Sequence, residues 1–176
     1  LMGIETNFGT YVGKMDILSS LATLSFDKRR SKFFTNELLI LLRLIDTNQI
    51  DYKTLYGSWA GAFGQTQFMP STFHKFAIDF DNDNKINLFK KSDALASGAN
   101  YLNQVGWNNN LSWGEEVKIT ITDKLSNLSQ KKKYKTKKFW ERNGISFKNN
   151  YNERVQMRLV IPDLEGKQFF LVTKNF

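Results

Sequence analysis

The spacing of the apolar residues changes near Trp107, and this change constrains the fold more than any other feature of the sequence. Before that point the apolar residues follow the period of an amphipathic helix. After it they alternate with polar residues, which is the period of a strand. The sequence therefore predicts an α+β chain with a mainly helical core over residues 1–107 and a small β-containing lobe over residues 108–176.

The helical part is predicted to contain four helices, of which the first is short and the second is the stronger. Apolar residues lie on one side of the segments from Ile17 to Phe26 and from Lys32 to Ile45. A shorter helix is predicted from Ser71 to Ile78, with Ser71 as its N-cap, because serine oxygens accept from free N–H groups at a helix start. Ser92 is the predicted N-cap of a last helix that Gly106 ends. The core-facing side of that helix would carry Leu95, Ala99, Leu102 and Val105.

Two segments of the second part have strand alternation. One carries Val117, Ile119 and Ile121, and the other carries Val155, Met157, Leu159 and Ile161. Between them lie a lysine-rich stretch at residues 131–138 and a short amphipathic segment around Phe139 and Trp140. The lysine run is typical of a solvated loop, with a polyanion site as the alternative.

Composition excludes several kinds of chemistry. Lys and Arg outnumber Asp and Glu by 25 to 17, and the net charge of +8 favours an anionic partner such as nucleic acid, acidic lipid or an acidic wall polymer. The absence of cysteine excludes disulfides, thiolate zinc sites and cysteine nucleophiles. His74 is the only histidine, which disfavours a histidine-dependent triad. No apolar run approaches the ~20 residues of a membrane span.

The two ends of the chain predict an internal fragment of a longer protein. The segment from Leu1 to Glu5 lacks the charged region, apolar region and cleavage site of a signal peptide. The chain stops on an apolar segment, from Phe169 to Phe176.

Glu5 is the first candidate for chemistry. It lies between Ile4 and a Thr-Asn-Phe-Gly sequence that ends at Gly9. A carboxyl group that is held against apolar neighbours has a raised pKa and can donate a proton near neutral pH. Ile4 and Phe8 are the residues that could form such an apolar wall, and a helix cap or solvated charge is the alternative.

A glycine-rich segment from Gly57 to Pro70 is the second candidate. Its small residues would let a ligand approach the backbone closely. Gln65 and Gln67 offer donors and acceptors for hydroxyl and acetamido groups, and Trp59 could cover a sugar face. The segment predicts a floor for a neutral ring-shaped ligand, with a simple turn between helices as the alternative.

A third candidate is an acidic loop that resembles an EF-hand calcium loop. Asp79, Asp81 and Asp83 occupy positions 1, 3 and 5, and Lys85 offers its backbone carbonyl at position 7. Position 12 is a lysine rather than the expected glutamate, but Asp93 lies three residues further on. Clustered carboxylates repel one another without a cation, so we predict bound metal, with a bare solvated turn as the alternative.

Together, in this order, these segments resemble the membrane-bound lytic transglycosylase B family of peptidoglycan lyases. The resemblance covers almost all of the first 107 residues and becomes thin afterwards, where residues 113–117 and 170–176 still look familial. It implies a lysozyme-like α+β core, a structural Ca²⁺ in the acidic loop, and a periplasmic or cell-envelope location. It also implies a glycan partner, no nucleic acid, and a monomeric protein.

The resemblance also implies roles for single residues. Glu5 matches the family's single acid/base. Ser58 and Gln67 match positions that contact sugar, while Asn100 and Tyr101 match a pair near the glycan groove. Asp93 matches the carboxylate that closes the metal loop. The family's last groove residues, an aromatic-Asn pair and a further Tyr, would follow the end of this sequence.

The implied activity is cleavage of the β-1,4 bond between MurNAc and GlcNAc to give 1,6-anhydroMurNAc ends. One rival is a lysozyme-type hydrolase, which would need a second carboxylate, with Asp16 and Asp27 as the candidates. The other rival is a non-catalytic module that binds the cell wall through its positive charge.

Overall fold

The computed structural model describes residues 1–162 and 168–176 of the chain. It divides into two compact units, Leu1–Gln104 and Val105–Phe176. Helices make up most of the first unit, whereas the second is built on a four-stranded antiparallel sheet. The predicted α+β class is therefore confirmed.

The first unit has a core to which two helices contribute nearly half of the buried apolar residues. Ile17, Leu21, Leu41 and Leu44 are buried there, and both helices predicted from these apolar stripes are confirmed. Asp16 caps the first of them, because its carboxylate accepts from Ser19 N at 2.7 Å. In chain order the elements are α1 (Met2–Thr6), β1 (Met15–Asp16), α2 (Ile17–Phe26), α3 (Ser31–Asp46), a 3-10 turn (Tyr52–Thr54), β2 (Tyr56–Gly57), α4 (Pro70–Phe76) and α5 (Lys91–Gln104).

The predicted serine caps are wrong. Helix α4 begins at Pro70, so Ser71 lies inside its first turn, and α5 begins at Lys91, before Ser92. The start of α4 is instead satisfied by Glu37, a buried residue of α3. Its carboxyl oxygens accept from Ser71 N at 2.8 Å and from Ser71 Oγ at 2.7 Å. A side chain from another helix thus takes the place of a local cap.

The predicted core face of α5 is also wrong. Leu95 and Val105 are 59% and 56% exposed, whereas the buried residues of the helix are Asp93, Ala94, Ser97 and Gly98. These residues are small or hydrogen-bonded, so the helix can approach the core closely. Ser97 Oγ, for example, accepts from Ile78 N at 2.9 Å.

The second unit is a sheet with two short helices. Its elements are β3 (Gly114–Val117), α6 (Asp123–Gln130), β4 (Lys135–Thr136), α7 (Lys137–Arg142), β5 (Gln156–Val160) and β6 (Phe169–Val172), and the strand order is β3-β6-β5-β4. The strand predicted around Met157 and Leu159 is confirmed as β5, with both side chains buried. The strand predicted from Val117 to Ile121 is wrong beyond its first residue. The structure instead has β3 at Gly114–Val117, and Val117 pairs with Phe169, the first residue of β6.

Trp140 is the largest side chain of the second core. The amphipathic segment predicted around it forms α7, and the indole is fully buried. Its Nε1 donates to the carbonyl of Met157 at 3.0 Å, which joins α7 to β5. A buried tryptophan contributes a large apolar burial, and the hydrogen bond of its N–H offsets the desolvation cost of that polar group. No helix among residues 1–162 and 168–176 has the length and apolar content to span a membrane.

The contact between α3 and α4 yields a stability prediction. Replacing Glu37 with Gln should lower the free energy of unfolding by about 1–2 kcal/mol, because a neutral amide loses the charge-assisted character of both bonds to Ser71 at the start of α4. The measurement is urea unfolding followed by circular dichroism. Asp46→Asn, an exposed substitution at the end of the same helix, is the control and should stay within about 0.5 kcal/mol of wild type. Equal stability of both variants would contradict the role of Glu37.

Candidate active site and acidic loop

Glu5 lies on α1, a helix of five residues, and its side chain is exposed. The helix is followed by three residues with left-handed backbone angles, Asn7, Phe8 and Gly9, with φ of 48°, 58° and 84°. A left-handed phenylalanine is strained because its Cβ crowds the backbone. Such strain persists only where surrounding contacts hold it, and it is frequent at functional sites.

The predicted apolar wall around Glu5 is wrong. Ile4 is 90% exposed and Phe8 is 72% exposed, so neither encloses the carboxyl group. The ring of Phe8 instead lies against Gly3, where an added Cβ would come within 3.0 Å of its Cζ. Glu5 thus faces solvent on a short helix, where a ligand can reach it.

The glycine-rich segment folds back on itself beside β2. Phe63 forms antiparallel bridges with both Gly57 and Phe68. Gly64 has φ of 73°, and a Cβ added there would collide with Leu88. This segment therefore packs its backbone closely against the residues that precede α5.

Ser58 and Gln67 are both half-buried and bonded within this segment. Ser58 Oγ accepts from Ala62 N at 3.1 Å. Gln67 has a left-handed φ of 49°, and its Nε2 donates to the carbonyl of Val12 at 3.1 Å and to that of Gly64 at 2.9 Å. The side-chain nitrogen of Gln67 thus serves the fold.

The structure does not support a direct sugar contact for Gln65. This residue is 5% exposed, and its Nε2 donates to the carbonyl of Phe89 at 2.7 Å. Its backbone carbonyl accepts from Thr6 Oγ1 at 2.9 Å. The sequence does not single out Thr6, and its position beside Glu5 is the one signal that could have identified it.

Asn100 and Tyr101 lie together on α5 and are half-buried. Asn100 Nδ2 donates to the carbonyl of Phe76 at 2.8 Å. The ring of Tyr101 packs at 5.7 Å from that of Phe68 and at 5.1 Å from that of Phe76. The structure thus brings Tyr101 beside the glycine-rich segment and uses Asn100 to join α4 to α5.

Three carboxylates converge in the acidic loop. Oxygen atoms of Asp79, Asp81 and Asp93 all lie within 4.8 Å of one another. Asn82 and Asn84 have left-handed φ values of 59° and 66°, which bend the loop around this point. An amide side chain tolerates this conformation better than most, so the asparagine in place of the EF-hand glycine does not prevent the turn.

Asp93 closes the loop from the first turn of α5. It is fully buried, and its two oxygens accept from Phe80 N at 3.2 Å and from Asn87 N at 2.9 Å. Both ends of the loop are therefore held by one carboxylate. Asp79 supports the turn inside, because it accepts from Asn84 N at 2.8 Å.

Asp83 lies outside the convergent group of carboxylates. Lys85 is exposed, and its N–H donates to Asp83 Oδ1 at 2.9 Å. Asp83 Oδ2 is 3.1 Å from Lys90 Nζ, and the same ammonium pairs with Asp81. The hydrogen bond from Lys90 lowers the pKa of Asp81, and Asp81 followed by Asp83 raises the pKa of Lys90. The ammonium of Lys90 thus pairs with one member of the convergent group, Asp81, and with Asp83 outside that group.

Comparisons with known proteins place these features in a family. The family described as "Transglycosylase SLT domain" matches residues 1–176. The membrane-bound lytic murein transglycosylase B of Escherichia coli strain K12 is 45% identical over 108 residues, which cover 61% of this chain and 30% of that protein.

Solved structures agree with this match. SltB3 from Pseudomonas aeruginosa, in complex with NAG-NAM-pentapeptide, superposes with a TM-score of 0.87 and 34% identity over 99% of this chain and 48% of its own. The lytic transglycosylase Slt35 of Escherichia coli, in complex with calcium, has a TM-score of 0.81 and 31% identity over 99% of this chain and 55% of its own. The fold is thus lysozyme-like, and the chain spans about half the length of these solved relatives.

The two hydrogen bonds of the Gln67 side chain predict that it stabilises the fold. Gln67→Ala should lower the free energy of unfolding by roughly 1–3 kcal/mol, since two carbonyls each lose a bond of about 0.5–1.5 kcal/mol. Thermal and urea unfolding measure this loss. Gln49→Ala removes an exposed amide and should have little effect. Wild-type stability for Gln67→Ala would show that this side chain serves only the ligand.

Proposed function

The chain belongs to the transglycosylase SLT domain family, and from this premise we propose that it cleaves peptidoglycan as a lytic transglycosylase. The bond broken is the β-1,4 bond between MurNAc and GlcNAc, and the product carries a 1,6-anhydroMurNAc end. One observation carries the proposal: Glu5 is an exposed carboxyl group on a short helix that is bonded to the glycine-rich segment and followed by a strained turn.

The proposed reaction uses the one carboxyl group twice. Protonated Glu5 gives its proton to the glycosidic oxygen as the MurNAc ring gains oxocarbenium character and the bond to the leaving sugar breaks. The ionised Glu5 then takes the proton of the C6 hydroxyl while that oxygen bonds to C1. Glu5 ends protonated, no water is consumed, and the ring closes as the anhydro product. The bound sugar would displace water from the exposed carboxyl group.

The geometry disfavours the hydrolase alternative. A hydrolase would need a second available carboxylate, and the two candidates are both engaged in structural bonds. Asp16 caps α2, and the hydrogen bond from Ser19 lowers its pKa. Asp27 pairs with Arg29 at 2.8 Å, and the side-chain hydrogen bond lowers the pKa of Asp27 to about 2.

We assign substrate contact to residues that a sugar can reach. Trp59 is 67% exposed beside Ser58 and can cover an apolar sugar face. Ser58 and Gln67 line the same segment, and the amide oxygen of Gln67 would accept from a sugar hydroxyl. We assign Asn100 and Tyr101 to the substrate-binding region as well, because the ring of Tyr101 packs on Phe68 of the glycine-rich segment. The substrate is a glycan strand of the cell envelope, where we place the protein as a monomer.

We also propose that the acidic loop holds one structural Ca²⁺. Asp79, Asp81 and Asp93 offer convergent oxygens, and of these three carboxylates Asp81 pairs with the ammonium of Lys90. Asp83 and the carbonyl of Lys85 would join the ligand set once Lys90 withdraws. When bound, the ion would neutralise the carboxylates and stabilise the loop. The calcium complex of Slt35 supports this assignment.

Calcium should therefore raise the melting temperature of the protein. Ligand linkage predicts about 2.7 kcal/mol of added stability at a hundred times the dissociation constant. Scanning calorimetry in chelator and in millimolar calcium measures it. Asp79→Asn should weaken calcium binding, whereas Lys90→Met should strengthen it because a competing cation is removed. Identical melting curves with and without calcium would contradict the site.

The decisive test of the activity is Glu5→Gln in the full-length protein. Gln preserves the shape of the side chain but cannot transfer a proton, so formation of anhydro product should fall at least ~10²–10⁴-fold while fold and glycan binding persist. Purified sacculi are digested with each protein, and the muropeptides are separated and identified as anhydro or hydrolysed by mass spectrometry. Hydrolysed ends from wild type would indicate a lysozyme-type enzyme. Binding without any product would indicate a wall-binding module.

A further inference from the structure

The helix that carries Glu5 is too short to be stable by itself. Helices below ~12–15 residues are marginal in water, and α1 has five residues and no side-chain cap at Leu1. The orientation of Glu5 therefore depends on tertiary contacts of α1 and the turn after it. The buried residue of α1 is Thr6.

Thr6 joins α1 to the glycine-rich segment. It is 2% exposed, and its hydroxyl donates to the carbonyl of Gln65 at 2.9 Å and accepts from Gly9 N at 3.0 Å. The residue next to Glu5 is thus bonded on both sides. Loss of this hydroxyl would leave a buried carbonyl and a backbone N–H without their partner.

Gln65 in turn connects α1 to the segment before α5. Its backbone N–H donates to the carbonyl of Leu88 at 2.9 Å, and its side-chain Nε2 donates to that of Phe89 at 2.7 Å. Leu88 is buried and follows Asn87, whose N–H is held by Asp93. Gln65 is therefore attached to a fixed part of the first unit.

The side chain of Gln65 also packs against Gly9, in the turn that follows α1. A Cβ added to Gly9 would lie 2.7 Å from Gln65 Oε1, and Gly9 has a left-handed φ of 84°. Only glycine permits this close approach and this backbone angle together. The turn at Gly9 thus rests directly on the amide of Gln65.

From these contacts we propose that Gln65 is a positioning residue for Glu5. It links Thr6 and Gly9, on one side, to Leu88 and Phe89, on the other. It therefore acts on the reaction through the position of α1, without contacting the sugar. The assignment rests on the proposed function of Glu5. A methionine at this position fills a similar volume but cannot donate to Phe89 and lacks the buried amide oxygen beside Gly9, so it removes both contacts of the amide while keeping the packing.

Gln65→Met in the full-length protein tests the proposal, with Gln49→Met as the matched control at an exposed glutamine. On soluble uncross-linked glycan strands, Gln65→Met should lower kcat about 3- to 10-fold, the size of one lost hydrogen bond, with KM within about 2-fold. Gln49→Met should match wild type. An unchanged kcat, or a change confined to KM, would overturn the positioning role.

Amide hydrogen exchange separates positioning from general destabilisation and does not need activity. Gln65→Met should speed exchange in residues 2–9 while α2 and α3 keep wild-type rates. Uniformly faster exchange throughout the first unit, or no change in residues 2–9, would overturn the proposal. If wild type yields no anhydro product, the proposed function fails, and the exchange experiment still decides whether Gln65 holds α1.

A second variant tests the proposal independently in case Gln65→Met does not fold. Thr6→Val keeps the shape of the side chain and removes the hydroxyl that binds the carbonyl of Gln65. It should give the same local increase in exchange and the same fall in kcat. Wild-type behaviour of a folded Thr6→Val protein would contradict the proposed path from Gln65 to Glu5.

Discussion

The buried hydroxyl of Thr6 is the contact on which the candidate active site depends. Successive residues of a helix point about 100° apart, so Thr6 can face the core while Glu5 faces solvent. A helix of five residues lacks internal stability, and its one buried residue must supply the attachment. The bond from Thr6 to Gln65 therefore places a solvent-facing carboxyl group on a rigid support.

The need to satisfy buried main-chain groups also explains why amide side chains are concentrated around the site. The glycine-rich segment has little regular secondary structure, so its neighbours leave carbonyl groups that strands or helices would otherwise satisfy. Side-chain amides supply the missing donors. Each of the three amides predicted to bind sugar donates to a main-chain carbonyl: Gln65 to Phe89, Gln67 to Val12 and Gly64, and Asn100 to Phe76. The side-chain nitrogens of these amides therefore stabilise the fold.

The acidic loop is likewise held by bonds between side chains and the main chain. Its carboxylates are held by backbone N–H groups at both ends, through Asp93, and in the middle, through Asp79. These bonds hold the carboxylates of Asp79 and Asp93 in place, and the pairing of Lys90 with Asp81 offsets part of the repulsion within the group. Because Leu88 and Phe89 lie between this loop and α5, the loop also supports the residues that hold Gln65.

The sequence by itself determined the α+β class, the long helices α2 and α3, the strand β5 and the spacing of the acidic loop, because these follow from periods and turn residues within one stretch of chain. Only the tertiary structure decided which polar groups meet. The start of α4 is satisfied by Glu37 rather than by the predicted cap at Ser71, α5 faces the core with its small residues, and Gln65 is buried. These outcomes depend on partners distant in the sequence, and a local pattern carries no information about which distant donor will satisfy a given acceptor.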